Sequence, residues 1–130
     1  MQALKTSLLL ASLLALSTGY AQKAELEAIA AQAKSDRAAC EPMKGNAKDV
    51  CQAEAKAKEK VARAELKFRA TQSDRDRVAL AMAKAEAEYD VAKEKCEDQA
   101  DAEQQRACKA QAKATERAQR AAARPAPSGG

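Results

Sequence analysis

Apolar side chains, many of them small, recur at helical spacing over most of this chain. Val50, Ala53, Ala57, Val61, Ala64 and Phe68 follow one another at steps of three and four residues, which places them on one face of a helix. Val78, Met82, Ala85, Tyr89, Ala92 and Cys96 repeat the pattern. A helical stretch from about Ala24 to Ala39 precedes them. Glu41-Pro42-Met43-Lys44-Gly45-Asn46 closes it, since Pro and Gly-Asn are stop and turn signals. A further helix is predicted from about Gln104 to Ala123, followed by a disordered end over Arg124–Gly130. The segment Thr71-Gln72-Ser73-Asp74-Arg75-Asp76-Arg77 reads two ways. Ser73 with Asp76 three residues on is a capping-box pattern that would open a new helix. Phe68, Thr71, Arg75 and Val78 nevertheless keep the phase of one continuous helix. A break is the favoured reading.

The amino end has a different pattern. Lys5 is followed by a run from Leu8 to Leu16 interrupted only by Ala and Ser, then by Gly19-Tyr20-Ala21. A charged start, a short apolar stretch and a small-x-small site are the parts of a secretory signal. The expected signal is residues 1–21, cut between Ala21 and Gln22. The apolar run is about half the roughly 20 residues that span a membrane, so no membrane span is expected after cleavage. The first cysteine after it is Cys40, too distant for lipoprotein processing. The expected location is the periplasm.

Composition then limits the core. From Gln22 onward Ala fills 31 of 109 positions, whereas Leu, Ile, Val and Phe together fill nine. Such a share is well below the roughly 20 per cent under which a compact core is doubtful. Ala, Glu, Lys, Gln and Arg are, however, the strongest helix formers. The predicted fold is therefore all-α: elongated Ala-rich helices forming hairpins or a short bundle, with little hydrophobic core. The charge after residue 21 is 22 basic against 19 acidic residues, with the signs interspersed. That argues against nucleic acid, which selects a clustered basic face. The stretch Lys109–Gly130, with five basic residues and one acidic, carries a third reading, binding to peptidoglycan or an anionic surface.

Four cysteines, Cys40, Cys51, Cys96 and Cys108, fall into two similar units at about residues 34–57 and 90–114. Each unit opens on Cys-Glu, at Cys40-Glu41 and Cys96-Glu97. Ten and eleven residues lie inside the two intervals, too many for the close cysteine pairs of structural zinc sites. An oxidising compartment favours disulfides. Two pairings compete. The local one joins Cys40 to Cys51 and Cys96 to Cys108, each closing a helical corner. The nested one joins Cys51 to Cys96 and Cys40 to Cys108, around a hairpin turning at Ser73-Asp74. A continuous helix there would hold Cys51 and Cys96 roughly 68 Å apart and forbid nesting. Local pairing is favoured because Pro42 and Gly45-Asn46 are the stronger turn signals.

The run Gly45-Asn46-Ala47-Lys48-Asp49-Val50-Cys51-Gln52-Ala53-Glu54-Ala55-Lys56-Ala57, with Ala87–Cys96 later, resembles a family of small exported Ala/Lys/Glu-rich proteobacterial proteins. Those proteins repeat a Cys…Gly-Asn-Ala-Lys-Asp-Val-Cys element, and some are similar in composition to the helical stalk of TolA. The resemblance covers roughly residues 34–115. The second unit departs from it, with Gln104-Gln105-Arg106-Ala107-Cys108 in place of the Asn-Ala-Lys-Asp-Val-Cys pattern. The resemblance implies export and no known activity.

Few catalytic chemistries are open to such a chain. It has no His, the commonest general base and catalytic zinc ligand. Carboxylates such as Glu86, Glu88 and Asp90 alternate with Lys and Arg, without the enclosing apolar pocket that raises a general acid's pKa. No catalytic residue, metal or cofactor is expected. Phe68 and Tyr89 are the only aromatics after residue 21, either filling helix seams or anchoring a partner. The expected function is a structural or protein-interaction role in the cell envelope, with an envelope protein as partner and oligomerisation through helix packing open. The alternative is a periplasmic stress protein or holdase-type chaperone.

Overall fold

The computed structural model describes residues 3–125, with side chains from Gly19 onward. Four helices follow in order: α1 (Ala3–Ala39), α2 (Gly45–Thr71), α3 (Asp74–Lys95) and α4 (Ala102–Ala123), with a short 3-10 turn over Cys96–Asp98. Helix α1 begins far upstream of Ala24. The Leu- and Ala-rich stretch before Gln22 consists of good helix formers, and no Pro or turn signal separates it from the Ala24–Ala39 stretch. The last residues of the predicted disordered end, 126–130, lie outside the described residues.

The chain turns after Thr71. Gln72 adopts a left-handed conformation (φ 51°) and its N–H bonds back to Phe68 O, ending α2. Ser73 caps α3, its hydroxyl accepting from Asp76 N at 3.1 Å, while the Asp76 carboxylate accepts from Ser73 Oγ and Thr71 Oγ1. The continuous-helix reading fails because these side chains satisfy the helix-end amides that a straight helix would have bonded internally.

Packing follows chain order, α1 on α2, α2 on α3 and α3 on α4, with the α2–α3 seam the most extensive. The result is an open row of antiparallel helices whose edges are α1 and α4. The two inner helices must therefore serve two neighbours each. In α2 the predicted stripe from Val50 to Phe68 is half-buried throughout, while the fully buried positions are Ala55 and Leu66. In α3 the buried alanines are Ala85 and Ala87, two positions apart and so on different sides of the helix. Among the described residues, buried apolar side chains are mostly alanines (Ala33, Ala55, Ala85, Ala87, Ala123), with Leu66 the one large aliphatic among them. Small side chains let helices approach closely, but each removes little area from water.

Oppositely charged pairs run along both sides of these seams. Arg69–Glu25 (2.7 Å), Lys58–Asp36 (3.7 Å) and Arg37–Glu59 (2.8 Å) tie α1 to α2. Lys95–Glu54, Lys60–Glu86 and Lys84–Glu65 tie α3 to α2. Each exposed pair contributes at most about 1 kcal/mol, so their main effect is to set the antiparallel register. The covalent ties matter more. Cys40 bonds Cys51 (Cα–Cα 5.7 Å) and Cys96 bonds Cys108 (5.6 Å), so the pairing is the local one. The hairpin at Ser73 is also present, which shows that the turn and the local pairing are compatible. Because α2 and α3 are antiparallel, both disulfides lie at the end of the molecule opposite Gln72–Ser73. There Asn46 Nδ2 of one stapled corner donates to Glu94 O beside the other, at 2.9 Å. Among the described residues, no helix is long and apolar enough to cross a membrane.

Candidate functional site

An open row of four helices leaves grooves between neighbours rather than an enclosed pocket. One of them, about 540 Å³, lies along α2 and α3. Its apolar lining is Ala57 and Val61 of α2 with Ala87, Val91 and Ala92 of α3. The helical repeat places these residues there: the α2 positions are four apart, and the α3 positions span just over one turn. Ion pairs close the groove at both ends, Glu54–Lys95 at 2.9 Å and Glu65–Lys84 at 3.1 Å. Lys58 and Glu88 also line it. The groove thus has an apolar centre and a charged rim of both signs.

A second groove of about 340 Å³ continues past Glu65 and is lined by Ile29, Ala62, Phe68, Arg69 and Leu80. It gathers side chains from α1, α2 and α3 and contains Phe68. Tyr89 lies elsewhere, in a small cavity of about 150 Å³ between α3 and α4 with Ala92, Ala112, Thr115, Glu116 and Gln119. Lys113 Nζ stands 4.5 Å from the Tyr89 ring centroid and Lys93 Nζ 5.9 Å, so the ring face is occupied by cations of this same chain. The structure does not bring Phe68 and Tyr89 together. Phe68 opens onto a groove; Tyr89 fills a seam. The Tyr89–Lys113 contact left no trace in the periodicity, because it depends on how α4 folds back onto α3.

Two buried carboxylates, Glu116 and Asp76, and the half-buried Glu59 are structural in their surroundings. Glu116 accepts from Lys113 Nζ at 2.5 Å and from Arg120 at 3.1 Å, and these bonds, Lys113's foremost, hold its pKa below the usual carboxylate value. The hydroxyl of Thr71 and then the neighbouring Lys67 and Ser73 lower that of Asp76. Hydrogen bonds from Arg63 and Arg37 do the same for Glu59. All three carboxylates are held ionised, the opposite of the shift a general acid needs. Among the described residues, no group of three or more His, Cys, Asp or Glu side chains is gathered where it could hold a metal.

The two residues at the expected cleavage site also have a definite place. Tyr20 is 74 % exposed. Ala21 and Gln22 line a hollow with Leu66, Arg69 and Ala70 of α2, and Glu25 makes the ion pair with Arg69. Ala21 and Gln22 thus lie against α2. Compared with known proteins, the chain matches no family model, no curated protein and no solved structure.

Proposed function

We propose that this is a non-enzymatic helical protein of the cell envelope, exported through residues 1–21, with a structural or protein-interaction role. The observation that carries this reading is the open α2–α3 groove: an apolar floor of Ala57, Val61, Ala87 and Val91 between charged rims, on a frame stapled at both corners. Such a surface suits a protein segment better than a small substrate, which needs an enclosed site with convergent polar groups. The disulfides fit an oxidising compartment outside the cytoplasm. A cut between Ala21 and Gln22 would keep Gln22 against α2 and the Glu25–Arg69 ion pair in place. The run Gly45–Ala57 is what supports a place among the small exported Ala/Lys/Glu-rich proteins it resembles.

The test combines mass and crosslinking. The intact mass of protein from the envelope fraction is expected to begin at Gln22. A photo-crosslinking residue at Val91 in the groove is expected to give a discrete adduct in cells, and one at exposed Ala79 none. Equal yields at both positions, or none at Val91, would remove the groove from the account. The apolar floor is also the feature that favours a holdase. Suppressed aggregation of an unfolded client, lost on Val61→Glu, would move the assignment there.

A further inference from the structure

Helix α4 carries a charge pattern that counting along the chain shows only in part. Residues 22–101 hold 16 basic and 17 acidic residues, whereas residues 102–130 hold six basic and two acidic. The positive charge of the protein after residue 21 thus resides on its last helix and the residue that caps it. Arg106, Lys109, Lys113, Arg117, Arg120 and Arg124 follow at steps of three, four, four, three and four. On a helix these steps describe one narrow stripe, about 27 Å long at 1.5 Å per residue.

The packing of α4 leaves this stripe accessible. Cys108, Ala112, Glu116, Gln119 and Ala123 face α3 or are buried, and the basic positions lie beside that line. Arg106, Arg117 and Arg124 are exposed and make no ion pair among the described residues. Lys109 pairs with Glu97, and Lys113 and Arg120 share Glu116, yet the side chains of these three remain 40–44 % exposed. With Glu97 and Glu116 counted, the stripe still carries four unbalanced positive charges. Its outer flank is Ala107, Ala110, Ala114, Ala118 and Ala121, all exposed, and α4 contains no Leu, Ile, Val, Phe or Met.

We propose that α4 is a docking face for an anionic phospholipid surface, its basic stripe lying along headgroup phosphates. Charge complementarity selects the partner, and the alanine flank sets the depth. Methyl groups allow the helix to rest flat on the headgroups, while the lack of bulky apolar side chains prevents insertion among the acyl chains. Binding is therefore electrostatic, reversible and salt-sensitive. The choice of lipid over nucleic acid rests on the export reading above; the stripe itself does not.

Sedimentation of the disulfide-bonded protein with vesicles tests this. Protein is expected to bind vesicles containing 30 % phosphatidylglycerol at 50 mM salt, to release at 500 mM, and to ignore pure phosphatidylcholine. Each basic residue near such a surface changes binding about fivefold, so Arg106→Gln/Arg117→Gln/Arg124→Gln should weaken it about a hundredfold with unchanged helicity. Lys44→Gln/Lys56→Gln/Arg75→Gln removes the same charge from exposed positions elsewhere and should alter binding less than tenfold. No binding to phosphatidylglycerol, or equal losses in the two triple variants, overturns the proposal. Stripe-dependent binding to a short DNA duplex that exceeds vesicle binding in the same salt overturns the lipid assignment, and it does so whether or not the chain is exported.

Discussion

The corners of the molecule are built in two different ways. At the end holding Cys40–Cys51 and Cys96–Cys108, disulfides close the α1–α2 and α3–α4 turns. The first of these corners has no side-chain cap on α2, whose N-cap is Lys44, and Gly45 takes the left-handed conformation (φ 58°) that the turn requires. At the other end, the α2–α3 turn has no covalent tie. Thr71, Ser73, Asp76 and Lys67 hold it by hydrogen bonds and an ion pair. The difference tracks the packing, because the unstapled turn joins the two helices with the most extensive seam. Staples occur where an edge helix has one neighbour and an alanine seam to hold it. A methyl-lined seam contributes little per residue, while closing a loop of about a dozen residues contributes about 3 kcal/mol by constraining the unfolded chain.

The strongest way to break the contrast is to remove the staples. Replacing Cys40 and Cys51 with Ser is expected to cost about 3 kcal/mol, lowering Tm by roughly 10–20 °C for a domain of this size. Replacing all four cysteines would cost about twice as much and leave the chain largely unfolded at 37 °C, as followed by far-UV circular dichroism. Little loss in the four-cysteine variant would show that the alanine seams suffice.

Acid should act on the non-covalent ties and spare the staples. Glu59, Asp76 and Glu116 have folded-state pKa values below their ordinary 4.5, 3.8 and 4.5. The stability they contribute is present above those ordinary values and is lost as pH falls through the lowered ones. Tm should thus be flat from pH 7 to about 5 and decline below about 4.5, in the disulfide-bonded protein as well. A flat profile to pH 2 would mean these pairs are energetically idle.

Smaller changes sharpen the picture at the central turn. Ser73→Ala removes the α3 cap and is expected to cost about 1 kcal/mol. Gln72→Gly relieves a left-handed non-glycine residue and should stabilise the protein by about 0.5–1 kcal/mol, read from denaturant midpoints.

Much of this frame was legible in the residues. Pro42 and Gly45-Asn46 marked the first corner, the matched Cys-Glu units marked the local pairing, and Ser73 with Asp76 marked the central turn. The second seams of α2 and α3 were not legible. When nearly every third residue is Ala, a helix has several faces of equal apolarity, and nothing marks Ala55 or Ala87 as buried while Ala79 is exposed. The α4 stripe was legible only in part: the basic excess from Lys109 onward can be counted along the chain, but Arg106 to Arg124 align on one face only when wound on a helix. Phe68 and Tyr89 were identifiable as the aromatics to watch, but their different surroundings depended on which helix lies across from each.

The central claim is that the staples hold edge helices α1 and α4 to an α2–α3 hairpin secured by its own packing. Amide hydrogen exchange of the protein before and after gentle reduction tests it most directly. The account predicts that reduction strips protection first from α1 and α4, while residues 55–70 and 76–92 exchange more slowly than either edge. Loss of protection in α2 and α3 together with, or ahead of, the edge helices would contradict it.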